Sequence, residues 1–146
     1  MKSILRLTLL VAALTGLAVA ARAAETSIQG ILITASNEPG KTDGRLAQYE
    51  PTLRRILRFE SYHYVGEDSA RLEIPAAGSL SVGDGHELEV TTEKSDGKSI
   101  HVKVRWNSRG RSLMNTGLTL RPGVPAVLGG PSTSKGEVYA VILIGR

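Results

Sequence analysis

His63, His86 and His101 are the imidazoles of this 146-residue chain, and their neighbours decide which acid–base or metal chemistry they could support. Side chains alternate between the faces of a strand, so His63 shares a face with Ser61 and Val65, and His101 with Lys103 and Arg105. His86 follows the turn sequence Gly83-Asp84-Gly85. No two histidines stand at a metal-site spacing on one helix or strand, as the H-E-x-x-H pattern would place them. Asp84-Gly85-His86-Glu87 offers oxygen and nitrogen donors, but it equally reads as a hairpin turn begun by Asp. Serine chemistry needs Ser, His and an acid brought together, and none of the serines lies in G-x-S-x-G between a strand and a helix. The carboxylates alternate outward or sit in turns, which gives no paired-acid glycosidase pattern. No catalytic, cofactor-binding or metal-ligating set is therefore assigned. The enzymatic alternative is a small hydrolase using His63 or His86 with a nearby Ser or carboxylate.

Two other groups are candidates for partner binding. His101, Lys103 and Arg105 form a basic row along one strand face, and Arg109 and Arg111 follow just past it. Such a row suits an anionic polymer, a lipid head group or an acidic protein. Its plainer role is a solvated sheet face balanced by Glu87 and Glu89. Tyr62 and Tyr64 also share a face; outward they would make an aromatic platform, inward they would pack the core.

Ala35-Ser36-Asn37-Glu38-Pro39-Gly40-Lys41-Thr42 approaches a phosphate-binding loop, and it lies between a strand and a helix as that motif requires. The first glycine is missing, and Pro39 removes an amide that would cradle phosphate. Asp43-Gly44 separates Lys41 and Thr42 from the helix that should carry them. An ordinary polar turn is the better reading.

The elements that position these residues come after an export leader. Lys2 and Arg6 precede an apolar run from Leu7 to Val19, and Ala21-Arg22-Ala23 supplies the small residues a signal peptidase reads. Residues 1–23 are thus expected to be a secretory signal peptide, and 24–146 a single globular β-rich domain. The apolar run is shorter than the roughly 20 residues of a spanning helix. Of the 18 basic residues, Lys2, Arg6 and Arg22 leave with the leader, so 15 remain against 14 acidic ones. Net charge then gives no support for nucleic-acid binding. The absence of cysteine removes disulfides, thiol catalysis and cysteine metal sites. The mature chain must stand on its own core, and it shows no transmembrane segment.

Within 24–146, Ser27 to Ala35 and Glu137 to Ile144 are apolar almost throughout, as strands buried on both faces are, and they are expected to lie side by side. Between Leu46 and Phe59 the apolar residues Leu46, Tyr49, Leu53, Ile56 and Leu57 recur with helical period, predicting one amphipathic helix over about 46–58 that lies against the sheet. Pro51 must sit in its first turn or kink it. The rest alternates with period two. Short strands are expected at Glu60 to Val65, Ala70 to Ile74, Leu80 to Val82, Ser112 to Leu120 and Val124 to Leu128. The clearest hairpin joins Glu87 to Thr92 with Ser99 to Trp106 across Asp96-Gly97, and Gly129 to Gly136 reads as a polar loop. The expected fold class is α+β, mostly antiparallel β, a two-layer sandwich-like domain with the helix following the first mature strand.

The stretch from Leu120 to Gly130, followed by the Val138 to Ile144 strand, resembles the strand, Gly-Gly turn and return strand of bacterial secretins. The resemblance covers about a fifth of the mature chain and implies a place in cell-envelope assembly, without carrying over functional residues. The combined expectation is an exported, periplasmic or extracellular, non-enzymatic binding or scaffolding domain. Its partner would be an envelope protein or an anionic polymer, and it would need no cofactor.

Overall fold

The computed structural model describes residues 24–146. The expected signal peptide at 1–23 lies outside the described residues. Eight strands are described: β1 (Glu25–Ser36), β2 (Ser61–Glu73), β3 (Ala76–Gly83), β4 (His86–Ser95), β5 (Ile100–Ser108), β6 (Arg111–Leu120), β7 (Ala126–Ser132) and β8 (Val138–Gly145). All pairings are antiparallel, and they build two four-stranded sheets ordered β2-β1-β8-β7 and β3-β4-β5-β6. The expected α+β sandwich with one helix is the architecture found.

The two near-continuous apolar strands are neighbours, with Ile31 opposite Ile142 and Ile33 opposite Ala140. They are buried on both faces because each faces a different core. Ile28, Leu32, Val141 and Leu143 point between the sheets and meet Leu80, Val82, Leu88, Val90, Val104 and Trp106. Ile31, Ile33, Ala140, Ile142 and Ile144 point the other way and meet Leu46, Tyr49, Leu53 and Tyr62. Gly30 lets the layers approach, since a Cβ there would lie 2.9 Å from Leu88 Cδ1 and 3.2 Å from Leu80 Cδ1.

The helix is shorter than its apolar period. A 3-10 turn at Gly44–Leu46, with the Asp43 side chain accepting from Arg45 N, precedes α1 (Glu50–Leu57). Pro51 occupies the first turn of α1, where no intrahelical donor is lost. Arg58 ends the helix in the left-handed conformation at φ 57. Leu46, Tyr49 and Leu53 are buried and Leu57 partly so, but Ile56 is 48% exposed, against the expected full stripe. The row that meets the sheet runs at i, i+4 through Tyr49, Leu53 and Leu57, which reaches Gly129 of β7, and Ile56 falls on its flank.

Two expected boundaries are also corrected. Glu60 to Val65 and Ala70 to Ile74 belong to one strand, because β2 runs unbroken beside β1 from Ser61 to Glu73. A bulge opposite Leu32/Ile33 absorbs Val65, and the polar Glu67 and Asp68 sit on this edge strand without ending it. Gly129 to Pro131 is not wholly a loop. β7 continues through it to Ser132 with an irregular register between Gly129 and Ser132.

Candidate functional site

The β4–β5 hairpin forms across the Asp96-Gly97 turn. The Asp96 carboxylate accepts from Lys98 N and from Ser99 N and Oγ, and these bonds hold its acidity below the ordinary carboxylate value. Register from this turn fixes which side chains face outward. Val102, Val104 and Trp106 are buried between the sheets, so His101, Lys103 and Arg105 form a row on the outer face. Opposite them on β6 stand Thr119, Gly117 and Asn115, and on β4 stand Lys94, Thr91 and Glu89.

This outer face is a shallow concavity. Glu89, Thr91, Lys103, Arg105 and Asn115 line a depression of about 320 Å³. It adjoins a second depression of about 560 Å³ that runs past Glu87 and Asn107 to Arg109 and Ser112. Arg105 pairs with Glu89 at 3.6 Å, both side chains about half exposed. Such a pair is worth little in water and leaves the guanidinium open to a competing anion. His101 Nδ1 lies 3.2 Å from Thr119 Oγ1.

Arg109 and Arg111 flank the tight turn that closes β5 onto β6. Arg109 and Gly110 both have positive φ, 47 and 80, the conformation a two-residue hairpin needs. The Arg109 side chain lies over Gly85 and the Arg109 backbone N–H donates to Gly85 O at 3.0 Å, so this residue tethers the β3–β4 turn. Arg111 is exposed beyond the row, where it lines a separate depression with Ser108, Arg109 and Leu113. The fold thus unites His101, Lys103 and Arg105, adds Arg109 at one end, and sets Arg111 to the side.

The tyrosines divide. Tyr62 is fully buried and its hydroxyl accepts from Phe59 N at 3.1 Å, so it packs the helix-side core and offers no binding face. Tyr64 is partly buried, with the Arg45 guanidinium 4.0 Å above its ring. Asp43 anchors that arginine through two hydrogen bonds, and this contact holds the Asp43 carboxyl down to about 2. An arginine thus already covers one face of this ring.

His63 is exposed on β2. His86 is buried, and its Nδ1 accepts from Trp106 Nε1 at 2.8 Å. Its ring packs on Tyr139 at 4.5 Å, and the Tyr139 hydroxyl donates to Asp84 Oδ2. Burial holds the imidazole below its ordinary range; the Asp84 carboxylate opposes that shift and the Arg109 guanidinium adds to it. His86 is therefore neutral and carries its proton on Nε2, facing aromatic partners rather than a serine. Among the described residues no hydrogen bond joins a histidine to a serine or a carboxylate, and no three metal-binding side chains cluster.

A 3-10 turn at Gly44–Leu46 separates Lys41 from α1, so the near phosphate loop lies off the N-terminus of that helix. The Thr42 hydroxyl in this loop is buried without a partner.

A further electrostatic feature escapes net charge. Between Asp96 and Glu137 the chain carries Lys98, Lys103, Arg105, Arg109, Arg111, Arg121 and Lys135 and no carboxylate at all. Those residues form β5, β6, β7 and the segments that join them, with Asp96 and Glu137 in the turns at either end. The acid-free run is plain in the sequence once charge is read by position rather than summed.

Comparison with known proteins returns no family model, no curated protein and no solved structure that matches the chain.

Proposed function

We propose that the protein is a non-enzymatic binding domain exported to the bacterial cell envelope, where the outer face of the β3–β6 sheet holds an anionic partner. The observation that carries the reading is the row His101, Lys103 and Arg105 standing along β5 over a concave floor, beside a β6 face of Asn115, Gly117 and Thr119 that holds no carboxylate. Small uncharged neighbours leave the cations unscreened on that side, and the acid-free run extends the positive potential past the sheet. The export part rests on Lys2, Arg6, the Leu7 to Val19 run and Ala21-Arg22-Ala23.

The test is a pull-down from envelope extracts at low and high salt, comparing the natural chain with Lys103→Glu/Arg105→Glu. Capture should fall steeply with salt and disappear in the variant, with thermal stability nearly unchanged. Equal capture by both proteins would reject this face as the contact.

A further inference from the structure

The two seams of the sandwich differ. At the β2–β3 seam the sheets touch directly: Asp68 Oδ2 accepts from Ser81 N at 2.9 Å, and Gly66 lies so close to Val82 O that no side chain fits between them. At the β6–β7 seam they part around an apolar groove of about 330 Å³ lined by Trp106, Leu113, Met114, Gly129, Gly130 and Pro131.

Both strands at this seam are sheet edges among the described residues. β7 is blunted, since Pro131 lacks an N–H and its register is broken after Gly129. β6 is interrupted only near its start, where a bulge leaves Leu113 unpaired. From Met114 to Leu120 it pairs with β5 in regular register, carries no proline and no lysine, and leaves its outward N–H and C=O groups without a strand to meet them. Arg111 and Arg121 stand at its two ends, and no carboxylate lies on β6, on β7 or in the segment that joins them.

An unguarded edge, an apolar notch and a basic rim together define a receptor for an extended chain. We propose that β6 takes up an extended acidic segment of a partner protein as a fifth strand of the β3-β4-β5-β6 sheet, with an apolar side chain of that segment seated in the groove over Trp106. This rests on the binding reading above and names its partner class. Charge selects the occupant: carboxylates alternating with apolar residues would face the arginines on one side and the groove on the other. A second copy of this chain supplies no such strand, because its own carboxylate-bearing β2 is closed against β3 and its β6 and β7 carry no acid.

The probe is a synthetic peptide alternating glutamate with valine, long enough to span β6, with a lysine-for-glutamate peptide beside it. Trp106 is the sole tryptophan, so its emission reports groove occupancy, while amide hydrogen exchange reports the β6 backbone. The glutamate peptide is expected to shift Trp106 emission, protect β6 amides and weaken with salt, and the lysine peptide to do none of these. Met114→Lys, which puts a charge into the notch, and the surface pair Arg111→Glu/Arg121→Glu should each weaken binding about tenfold or more. Sedimentation should show a monomer throughout. Failure of the natural chain to bind the glutamate peptide overturns strand addition, and so does protection of β6 by self-association. Binding that survives both groove variants but is lost in Lys103→Glu/Arg105→Glu also overturns it, while leaving the outer-face reading intact. The envelope pull-down described above decides that reading separately.

Discussion

Trp106 and His86 lie on adjacent strands, and the indole Nε1 donates to the imidazole Nδ1 at 2.8 Å inside the space between the sheets. The bond satisfies the one polar atom of the largest buried side chain and fixes the histidine tautomer. It also links the intersheet core to the polar end of the sandwich, where Tyr139 reaches the Asp84 turn.

Protonation of His86 would place a second donor against the Trp106 N–H. Its folded-state pKa lies below the ordinary value of 6.5, so the unfolded chain binds the proton first. Stability is therefore full above about pH 6.5 and falls as pH drops below it. Chemical denaturation between pH 8 and pH 5 should show this slope. In His86→Gln, whose amide oxygen can accept from Trp106 but does not titrate there, the slope should be markedly reduced.

Gly130 lies against the Trp106 ring so closely that an added Cβ would overlap it. Gly130→Ala should cost about 1–3 kcal/mol by forcing the indole or β7 to move. Denaturation followed by Trp106 fluorescence reads the loss and reports whether the ring environment changes in the folded state.

Trp106→Phe keeps most of the apolar bulk but removes the donor, leaving a buried Nδ1 unpaired. A loss of about 1–3 kcal/mol is expected from the unsatisfied acceptor, with a further cost from the smaller ring. Calorimetry on Trp106→Phe, His86→Phe and the double variant should find strong non-additivity, because both single changes break one bond.

Asp43 titrates near 2 instead of its ordinary 3.8 because Arg45 binds it. Its contribution is complete above about pH 4 and lost as pH falls towards 2. Both groups are at the surface, so Asp43→Asn should change stability at neutral pH only slightly. NMR titration should find the low value and see it return towards normal in Arg45→Ala.

Leu53 anchors α1 to the outer face of the first sheet and is fully buried. Leu53→Ala should cost about 2–5 kcal/mol, whereas Ile56→Ala, at a half-exposed position one turn on, should cost well under half as much. Thermal melts of the two variants settle the comparison.

Much of this arrangement is visible in the residues themselves. The apolar runs around Ile31 and Ile142 mark strands buried on both faces, and Asp96-Gly97 marks the hairpin that registers the basic row. Leu46, Tyr49 and Leu53 mark the helix face. Strand continuity past Glu67 and Asp68 is less visible, because a polar edge strand and a loop have the same composition; the pairing with β1 decides it. The same holds for Gly129 to Pro131. His86 reads as a turn residue because its partner Trp106 is 20 positions away and is supplied by register. Tyr62 and Tyr64 share a face in the sequence pattern, yet only the position of the helix and of Arg45 separates a core ring from a covered one.

The central pairing of β1 with β8 also governs how the molecule can assemble. Thr26 Oγ1 donates to Arg146 O across 120 residues of chain, and both cores are built on the strands that meet there. Neither core can close until its most distant segments have found each other, and the loop-closure entropy comes before the reward. A chain cut before β8 would keep Ile31 and Ile33 solvated and the helix without a floor. Cooperative folding that waits on the β1–β8 pairing is the expected outcome. The amides of β1 and β8 should be the last to exchange and the β6 edge among the first.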